Sequence, residues 1–344
     1  MNRTAPSQLL RPRALEPGDL VVVAALSGPL DARYAPDLKR AVAQIERMGF
    51  RVRLAPLLKA GEHRWWSAAR PDEIAKEFNG LLRDPEVRAI VAHDGGQTVF
   101  GYLDLIDFDA IRADPKPILG YSDISLLHLV LYAHTGLVGF HADLATPGFG
   151  GHWQRASVAR REELGKLYAT LLTGTEPIGA LPAGGSWECW RAGRAEGPLI
   201  GGVINRIVLA QATPFALPLE CFGGAVLFWE EPGGHASHVW SYLQILRHSG
   251  ILDRISGMVV GVPEAIGGPD SPGGSPTLAE IVLDVLGDRD IPVLGNVEVG
   301  HAGWNLPMPV GIRAALDAEE RMLSLLEPAV QARRGGPERE KTGF

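Results

Sequence analysis

The chain has 344 residues, 46% of them hydrophobic and 21% charged, the composition of a globular protein with room for two domains of roughly 150 residues. Its 33 Lys and Arg against 40 Asp and Glu give a net charge of −7, so the surface as a whole does not favour nucleic acid. No apolar run approaches the roughly 20 residues that cross a membrane, so no membrane partner is expected.

The first half of the chain alternates strand and helix patterns. A Pro-rich segment, 1–17, is expected to be a flexible arm, and the continuous apolar run 20–26 predicts a strand that is buried on both faces. The elements that follow are a helix over 36–48, a strand over 51–57, a helix over 71–83, strands over 87–92 and 117–120, and a helix over 124–132. This alternation predicts an N-terminal α/β domain over 18–150 with a doubly wound, flavodoxin-like parallel sheet.

The pattern changes in the second half. The glycine-rich stretch 148–153 indicates a break, and 151–196 is interpreted as a linker or insertion with a polar helix over 160–172. Short strands are then predicted over 225–229, 257–262 and 293–297, with helices over 241–246 and 278–286. We therefore predict a smaller C-terminal α+β domain over 197–330, a surface loop over 267–275 and a disordered tail over 331–344.

The cysteine count and the histidines bear on redox state and metals. Cys189 and Cys221 are too few for a disulfide framework or a zinc ribbon, so we expect two reduced thiols in a cytoplasmic protein. His235 and His238 are three residues apart, as in some metal sites, but no HExxH motif or cysteine partner accompanies them. Neither a metal nor an organic cofactor is expected.

The most informative segment is PKPILGYSDIS at 115–125, in which a short apolar run leads into a Gly-Tyr-Ser-Asp turn before an apolar helix. A serine at a strand-to-helix turn projects its hydroxyl above the strand, next to backbone N–H groups that can hold an oxyanion. The second glycine of a G-x-S-x-G elbow is absent, and such a serine or aspartate is more often the cap of the helix. On the pattern alone, a nucleophilic Ser122 and a structural cap remain alternatives.

Two later segments carry side chains suited to acid–base chemistry. Glu230 and Glu231 directly follow an apolar strand, and His301 follows another strand that ends at Val299. Imidazole is the side chain best suited to shuttle a proton near neutral pH. Taken singly, however, glutamates at the end of a strand are more often solvated surface residues, and a lone histidine more often has a structural than a catalytic role.

In combination, these segments resemble the LD-carboxypeptidase family of serine peptidases. PKPILGYSDIS is followed, in the family's order, by LFWE at 227–230 and by GNVEVGHAGWNLPMPVG at 295–311. Further similar stretches are GGQTVFGYLDLIDFDAI at 95–111 and GPLIGGVINRI at 197–207, so the resemblance extends over roughly 18–320. The length of the chain and its tryptophan-containing stretch 187–190 look more like the microcin C self-immunity branch than the shorter housekeeping enzymes.

The resemblance implies a catalytic triad. The family's nucleophile matches Ser122, its glutamate matches Glu230 and its histidine matches His301, while Glu231 takes the following acidic position. Ser122 would attack a carbonyl, His301 would carry the proton to the leaving amine, and Glu230 would orient the imidazole.

Other residues are expected around the triad. The backbone N–H of Asp123 and one from the Gly95-Gly96 turn would stabilise the oxyanion, and Gln97 and Tyr121 would contact the substrate. The Gly95-Gly96 pair lacks the context of a dinucleotide or phosphate loop, and a plain tight turn is its more common use. It nevertheless follows a strand where a doubly wound sheet binds ligands.

The resemblance also implies a substrate and a homodimer. The substrate would be an amide whose leaving group is an amino acid with a free carboxylate, such as the terminal D-alanine of a murein tetrapeptide. The chain departs from the family's pattern at Gln97, Ala142 and Val203, which we expect to line the pocket and to alter selectivity. A free carboxylate needs a cationic partner, for which the candidates, otherwise ordinary surface arginines, are Arg191, Arg194 and Arg206.

Two other functions remain open. The first is a microcin C immunity-type hydrolase that cleaves the bond between an aspartyl group and a nucleotide-like moiety. A base could stack on exposed tryptophans, although core packing is the more common role of this side chain. The candidates are Trp65, Trp66, Trp187 and Trp190. The second, from a different class, is a non-catalytic binding protein that holds a small ligand between two domains.

Overall fold

A computed structural model gives the positions of residues 5–6, 8–264, 266, 276–302 and 304–333. The predicted loop 267–275 and all but the first three residues of the predicted tail lie outside these described residues. Within them, no helix is both long enough and apolar enough to span a membrane.

The strands and helices alternate along the chain. The strands are β1 (Leu20–Ala24), β2 (Arg51–Leu54), β3 (Val87–Ala92), β4 (Ile118–Gly120), β5 (Gly139–His141), β6 (Gly179–Ala180), β7 (Glu188–Arg191), β8 (Arg194–Val203), β9 (Val226–Glu230), β10 (Gly257–Gly261), β11 (Val293–Val297), β12 (Met308–Val310), β13 (Arg313–Asp317) and β14 (Met322–Leu325). The α-helices are α1 (Ala35–Arg47), α2 (Pro71–Arg83), α3 (Phe108–Ala113), α4 (Ile124–Thr135), α5 (Trp153–Arg155), α6 (Val158–Thr173), α7 (Ile204–Ala210), α8 (Ala236–His248) and α9 (Leu278–Leu286).

The first sheet has the predicted doubly wound topology. Its five parallel strands lie in the order β2-β1-β3-β4-β5, which is the flavodoxin-like order. Alternate residues of β1 contribute to two different apolar clusters, Val21 and Val23 to one and Leu20 and Val22 to the other. The strand is therefore buried on both faces, as its continuous apolar run predicts. The order reverses between β1 and β3. In doubly wound sheets, ligands bind at such a reversal, outside the carboxyl ends of the strands.

The second sheet has eight strands among the described residues, in the order β6-β14-β13-β8-β9-β10-β11-β7. Its four central strands, β8 to β11, are mutually parallel, and the flanking strands are antiparallel. One apolar cluster includes residues of both sheets, such as Phe140 of the first and Phe228 of the second. The two sheets consequently share a core.

Three segments differ from the sequence-based expectation. The described part of the predicted flexible arm is fixed: the N–H of Leu10 donates to the carbonyl of Gly136 (2.7 Å), and Leu15 is buried. The predicted linker 151–196 supplies α6 and also two strands, because β7 pairs with β11 and β6 with β14. Conversely, β12, from the predicted C-terminal domain, pairs antiparallel with β5 and completes the first sheet.

The glycine-rich stretch after β5 is not a break. Ala145–His152 form a π-helical segment that packs against α1. A Cβ on Gly150 would lie only 2.0 Å from the carbonyl oxygen of Asp37, so this glycine allows two backbones to approach closely. The glycines can be read in the sequence, but the sequence does not show whether they form a turn or allow close packing of two backbones.

A buried lysine closes the carboxyl end of α2. The Nζ of Lys116 donates to the carbonyls of Leu81 (2.9 Å), Leu82 (2.8 Å) and Asp84 (2.6 Å), and the side chain is fully buried. A cation at this end also interacts favourably with the helix dipole. Burial lowers the pKa of Lys116.

Replacing this lysine tests its contribution. Lys116→Met keeps the apolar stem but leaves three carbonyls without their donor, so we expect the free energy of unfolding to fall by about 2–3 kcal/mol. Lys39→Met, on the exposed face of α1, is the matched control and should change it by no more than about 0.5 kcal/mol. Urea unfolding followed by circular dichroism measures both, and equal effects would show that the three bonds do not stabilise the fold.

Candidate active site

The turn between β4 and α4 holds Ser122 in a strained conformation. β4 ends at Gly120 and α4 begins at Ile124. Ser122 has φ 62°, in the left-handed region that residues with a side chain rarely adopt. Such strain at a strand-to-helix turn raises the hydroxyl above the sheet, as in a nucleophile elbow.

Folding brings together the three residues of the predicted triad. The Nε2 of His301 lies 3.0 Å from the Oγ of Ser122, and its Nδ1 lies 2.9 Å from both carboxylate oxygens of Glu230. Glu230 is the last residue of β9 and is 1% exposed, whereas Ser122 follows β4, a strand of the other sheet. The hydrogen-bonded series therefore crosses the junction between the two sheets.

Gly300 permits this carboxylate–imidazole contact. It has φ 95°, and a Cβ there would lie 2.4 Å from the Cδ of Glu230. Its N–H donates to the Oδ1 of the buried Asn305 (2.9 Å), which fixes the turn that carries His301. Only glycine fits this position without moving the carboxylate.

The surroundings of His301 favour a protonatable imidazole with a fixed orientation. Burial acts to lower its pKa, but the hydrogen bond and negative charge of Glu230 outweigh burial, so the pKa is raised. The ring of Tyr121 meets the imidazole edge-on, with centroids 4.8 Å apart. Burial, with the charges of Asp143 and Glu230, raises the pKa of Tyr121 well above its usual value, which keeps the phenol neutral.

Glu231 occupies a different environment from its neighbour. Both of its carboxylate oxygens accept hydrogen bonds from Asn205 (3.2 Å each) rather than from the histidine. Burial and the charge of Glu230 raise the pKa of Glu231 to about 7. The alternation of side chains along an extended backbone separates the two glutamates, so only Glu230 reaches the imidazole.

Asp123 is the buried centre of a network around the turn that carries Ser122. Its Oδ2 accepts hydrogen bonds from Ser27 Oγ (2.6 Å) and from the N–H groups of Thr98 (2.7 Å) and Val99 (2.9 Å). Its Oδ1 lies 3.0 Å from the Nε of Arg206, a buried ion pair between the two sheets. The carboxylate thus holds the turn after β3 against the turn after β4.

The glycine turn after β3 lies directly against the serine. A Cβ on Gly95 would lie 2.6 Å from the Oγ of Ser122, so the backbone here approaches the hydroxyl as closely as a glycine allows. The Nη2 of Arg206 donates to the carbonyl of Gly96 (3.2 Å) and to the Oε1 of Gln97 (2.6 Å). Gly95 therefore borders Ser122, whereas Gly96 and Gln97 are joined to Arg206.

Other predicted residues lie elsewhere. Arg191 donates to the backbone carbonyls of 287 and 289, and Arg194 pairs with Asp317, so neither contacts the residues of the triad. Of the three departures from the family pattern, Gln97 is exposed, whereas Ala142 and Val203 are buried.

The structure also shows the surroundings of the histidine pair and the exposure of the tryptophans. His235 caps α8, because its Nδ1 accepts from the N–H of Ser237, and no cluster of three or more potential metal ligands occurs within the described residues. Trp187 is buried, whereas Trp65 and Trp66 are 67% and 60% exposed with their ring centroids 5.5 Å apart.

The sequence pattern did not indicate Ser27 as a site residue. Ser27 follows β1, one of the two strands at which the sheet order reverses, and its hydroxyl donates to Asp123. Its place after an apolar run can be read in the sequence, but only the strand order brings it beside the turn that carries Ser122.

A serine, an imidazole and a buried carboxylate in hydrogen-bonded series form the arrangement of serine hydrolases. Comparison with known proteins identifies the family. The LD-carboxypeptidase N-terminal domain matches residues 21–142, and the LD-carboxypeptidase C-terminal domain matches residues 196–316. The chain therefore belongs to the LD-carboxypeptidase family.

Individual relatives are distant but extend along nearly the whole chain. The chain is 26% identical over 329 residues to the microcin C7 self-immunity protein MccF of Escherichia coli, covering 90% of this chain and 94% of MccF. It is 29% identical over 313 residues to the probable murein peptide carboxypeptidase of Bacillus subtilis, covering 90% of this chain and 92% of that relative. It superposes with a TM-score of 0.82 and 24% identity on MccF in complex with glutamyl sulfamoyl guanosine, covering 94% of this chain and 100% of the MccF chain. The two proteins therefore share a fold.

The two glutamates provide a test of the electrostatics. Glu230→Gln removes the anion that stabilises the imidazolium, so burial dominates and the pKa of His301 should fall. Glu231→Gln is the matched control and should lower it much less, because Glu231 bonds to Asn205 and contributes less to His301. Proton NMR titration of the His301 ring, assigned with a His301→Gln variant, measures both shifts. A larger shift in the Glu231 variant would assign the wrong carboxylate to the histidine.

Proposed function

We propose that this protein is a serine hydrolase of the LD-carboxypeptidase type, with Ser122 as nucleophile, His301 as general base and Glu230 as the residue that orients it. The observation that carries the proposal is the unbroken hydrogen-bonded series from the strained Ser122 through His301 to Glu230. The family membership and the names of the relatives, which include a murein peptide carboxypeptidase, support the same chemistry.

The reaction would proceed through an acyl-enzyme. As the Oγ of Ser122 attacks the carbonyl carbon, its proton passes to the Nε2 of His301, and the negative charge of Glu230 stabilises the imidazolium. The C–N bond then breaks, and the imidazolium gives its proton to the departing amine. Water, deprotonated by the same imidazole, attacks the ester and releases the acid, which restores Ser122.

The oxyanion would be held by backbone N–H groups. The N–H of Asp123 lies at the start of α4, where the helix dipole favours negative charge. The Gly95-Gly96 turn lies against the serine hydroxyl, so the N–H of Gly96 is the second proposed donor. The carboxylate of Asp123 acts through its bonds to Ser27, Thr98 and Val99, which hold these two turns in register.

Removing the nucleophile tests this mechanism. Ser122→Ala should lower kcat by about 10⁴-fold or more, as losses of triad nucleophiles do, and should abolish labelling by a fluorophosphonate probe. Ser241→Ala, an exposed serine of α8, is the control and should keep both labelling and turnover. A small-ligand binding protein without catalysis would show no labelling of the wild type, and undiminished turnover in Ser122→Ala would exclude it as the nucleophile.

The proposed substrate is an amide whose leaving amino acid has a free carboxylate, such as D-alanine at the end of a murein tetrapeptide. Of the three candidate arginines, Arg206 supports this proposal, because it pairs with Asp123, the residue that follows Ser122. Its Nε and Nη2 are engaged by Asp123, Gly96 and Gln97, while its Nη1 makes no hydrogen bond within the described residues. We assign this remaining edge of the guanidinium to the substrate's terminal carboxylate.

This substrate assignment predicts a preference between two paired substrates. Amidation of the terminal carboxylate removes a charge-assisted hydrogen bond, so kcat/KM for an LD-tetrapeptide amide should be about 10- to 100-fold below that for the acid. Parallel kinetics on the two peptides measures the ratio. Equal rates would end the carboxypeptidase assignment while leaving the hydrolase mechanism in place.

A second candidate, hydrolysis of an aminoacyl-nucleotide conjugate, is favoured by one surface feature. Trp65 and Trp66 are exposed side by side, and the guanidinium of Arg64 lies 3.8 Å from the ring centroid of Trp65. Their loop is tied to the site because the N–H of Ala68 donates to the carbonyl of Ser27 (3.0 Å). Exposed aromatic rings can stack on a base, and MccF has been solved with an aminoacyl sulfamoyl nucleoside. Turnover of an aspartyl-nucleotide conjugate, but of neither peptide, would select this function.

A further inference from the structure

Two glycine-containing turns of the first sheet pack against each other, and one of them borders Ser122. They are the Ser27-Gly28 turn, which follows β1, and the Gly95-Gly96 turn, which follows β3. The N–H of Gly28 donates to the carbonyl of Gly95 (2.8 Å), and a Cβ on Gly28 would lie 2.6 Å from that oxygen. A Cβ on Gly96 would lie 2.5 Å from the Oγ of Ser27. The two backbones are thus in direct contact, so a displacement of one turn displaces the other.

A buried imidazole holds the first of these turns. His93 directly follows β3 and is 1% exposed. Its Nε2 lies 2.9 Å from the carbonyl oxygen of Gly28, which can only accept, so Nε2 carries the proton. Its Nδ1 lies 3.4 Å from the Oγ1 of Thr146, whose hydroxyl can donate to it. Burial lowers the pKa of His93, which favours this neutral form with a single ring N–H.

The backbone of His93 is fixed on both sides. Its N–H donates to the carbonyl of Ala24 in β1 (2.9 Å), and its carbonyl accepts from the N–H of Thr146 in the π-helical segment (2.8 Å). The imidazole therefore reaches Gly28 from a fixed position. Since Gly28 accepts from His93 and donates to Gly95, the imidazole acts on the Gly95-Gly96 turn through a single residue.

The Gly95-Gly96 turn has one backbone donor left for a ligand. The N–H of Gly95 donates to the Oδ1 of Asp94 (2.7 Å), whereas the N–H of Gly96 makes no hydrogen bond within the described residues. A donor to an oxyanion has to stand at hydrogen-bond distance from the place where the charge develops. A misplacement of about 1 Å can lower a rate about 100-fold, so whatever holds this turn also affects the rate.

Resting on the proposed function, we propose that His93 is a positioning residue of the oxyanion site. Its Nε2–H holds the carbonyl of Gly28, and this bond fixes the N–H of Gly96 relative to the hydroxyl of Ser122. Both ring nitrogens of His93 face groups of the first sheet and the π-helical segment, so His93 transfers no proton in the reaction. It acts through the two turns alone.

Variants that differ in the ring donor test this role. His93→Leu removes the donor and should lower kcat about 10- to 100-fold while KM changes no more than about 2-fold, because the oxyanion exists only in the transition state. His93→Gln places an amide N–H near the position of Nε2 and should recover most of kcat. His93→Asn, whose shorter amide does not reach Gly28, repeats the comparison in case the leucine variant does not fold.

Tyr102→Phe is the matched control. The buried hydroxyl of Tyr102 donates to the carbonyl of Leu26 (2.8 Å), which precedes the Ser27-Gly28 turn. Its loss also removes one buried hydrogen bond to a backbone carbonyl, so thermal stability should fall while kcat stays within about 2-fold of the wild type. A fall in kcat that Tyr102→Phe shares, or that His93→Gln does not recover, would reduce His93 to a structural role and overturn the proposal.

Amide hydrogen exchange separates this proposal from the hydrolase mechanism. The N–H of Gly28 reports on the contact between the two turns, because it donates to Gly95. His93→Leu should speed its exchange about 10-fold or more, and Tyr102→Phe should not. Faster exchange in a protein whose wild type hydrolyses no substrate would contradict the hydrolase and keep the role of His93 in holding the turns. Unchanged exchange and unchanged kcat in His93→Leu would overturn the positioning role and leave Ser122 as the nucleophile.

Discussion

The buried ion pair between Asp123 and Arg206 is the interaction on which the rest of the site depends. Asp123 belongs to the turn after β4 of the first sheet, and Arg206 belongs to α7, which follows β8 of the second sheet. The same carboxylate orders the turn after β3, and the same guanidinium holds Gly96 and Gln97. Because loss of one partner would leave the other charge buried and unpaired, the pair favours a single relative placement of the turns around Ser122.

Much of the fold follows from local patterns. The apolar run of β1, the amphipathic α2 with acidic residues in its first turn, and the strand–turn–helix at 117–132 each correspond to elements of the structure. The contacts that local patterns cannot encode are those between distant segments. Nothing within 308–310 indicates that this strand pairs with β5, and the glycines of Ala145–His152 do not reveal their close packing against α1.

The same distinction applies to the site. Ser122, Glu230 and His301 could be found because each follows a recognisable strand and the combination resembles a family, and they are hydrogen-bonded in series. Arg206 could not be separated from Arg191 and Arg194 in the sequence, since only folding makes one of them buried beside Asp123. The sequence does not indicate Ser27 for a similar reason: its hydrogen bond to Asp123 depends on which strands are neighbours in the sheet.

The strand Met308–Val310 makes the two halves of the chain interlock. It lies beyond β11 in sequence, yet it covers the edge of β5 in the first sheet, while β13 and β14 return to the second. A fragment that stopped near residue 150 would expose the backbone donors and acceptors of β5, and open strand edges promote association between chains. Evolutionary exchange of one half for that of a relative must consequently preserve this strand crossing as well as the facing surfaces, so the halves are not free modules.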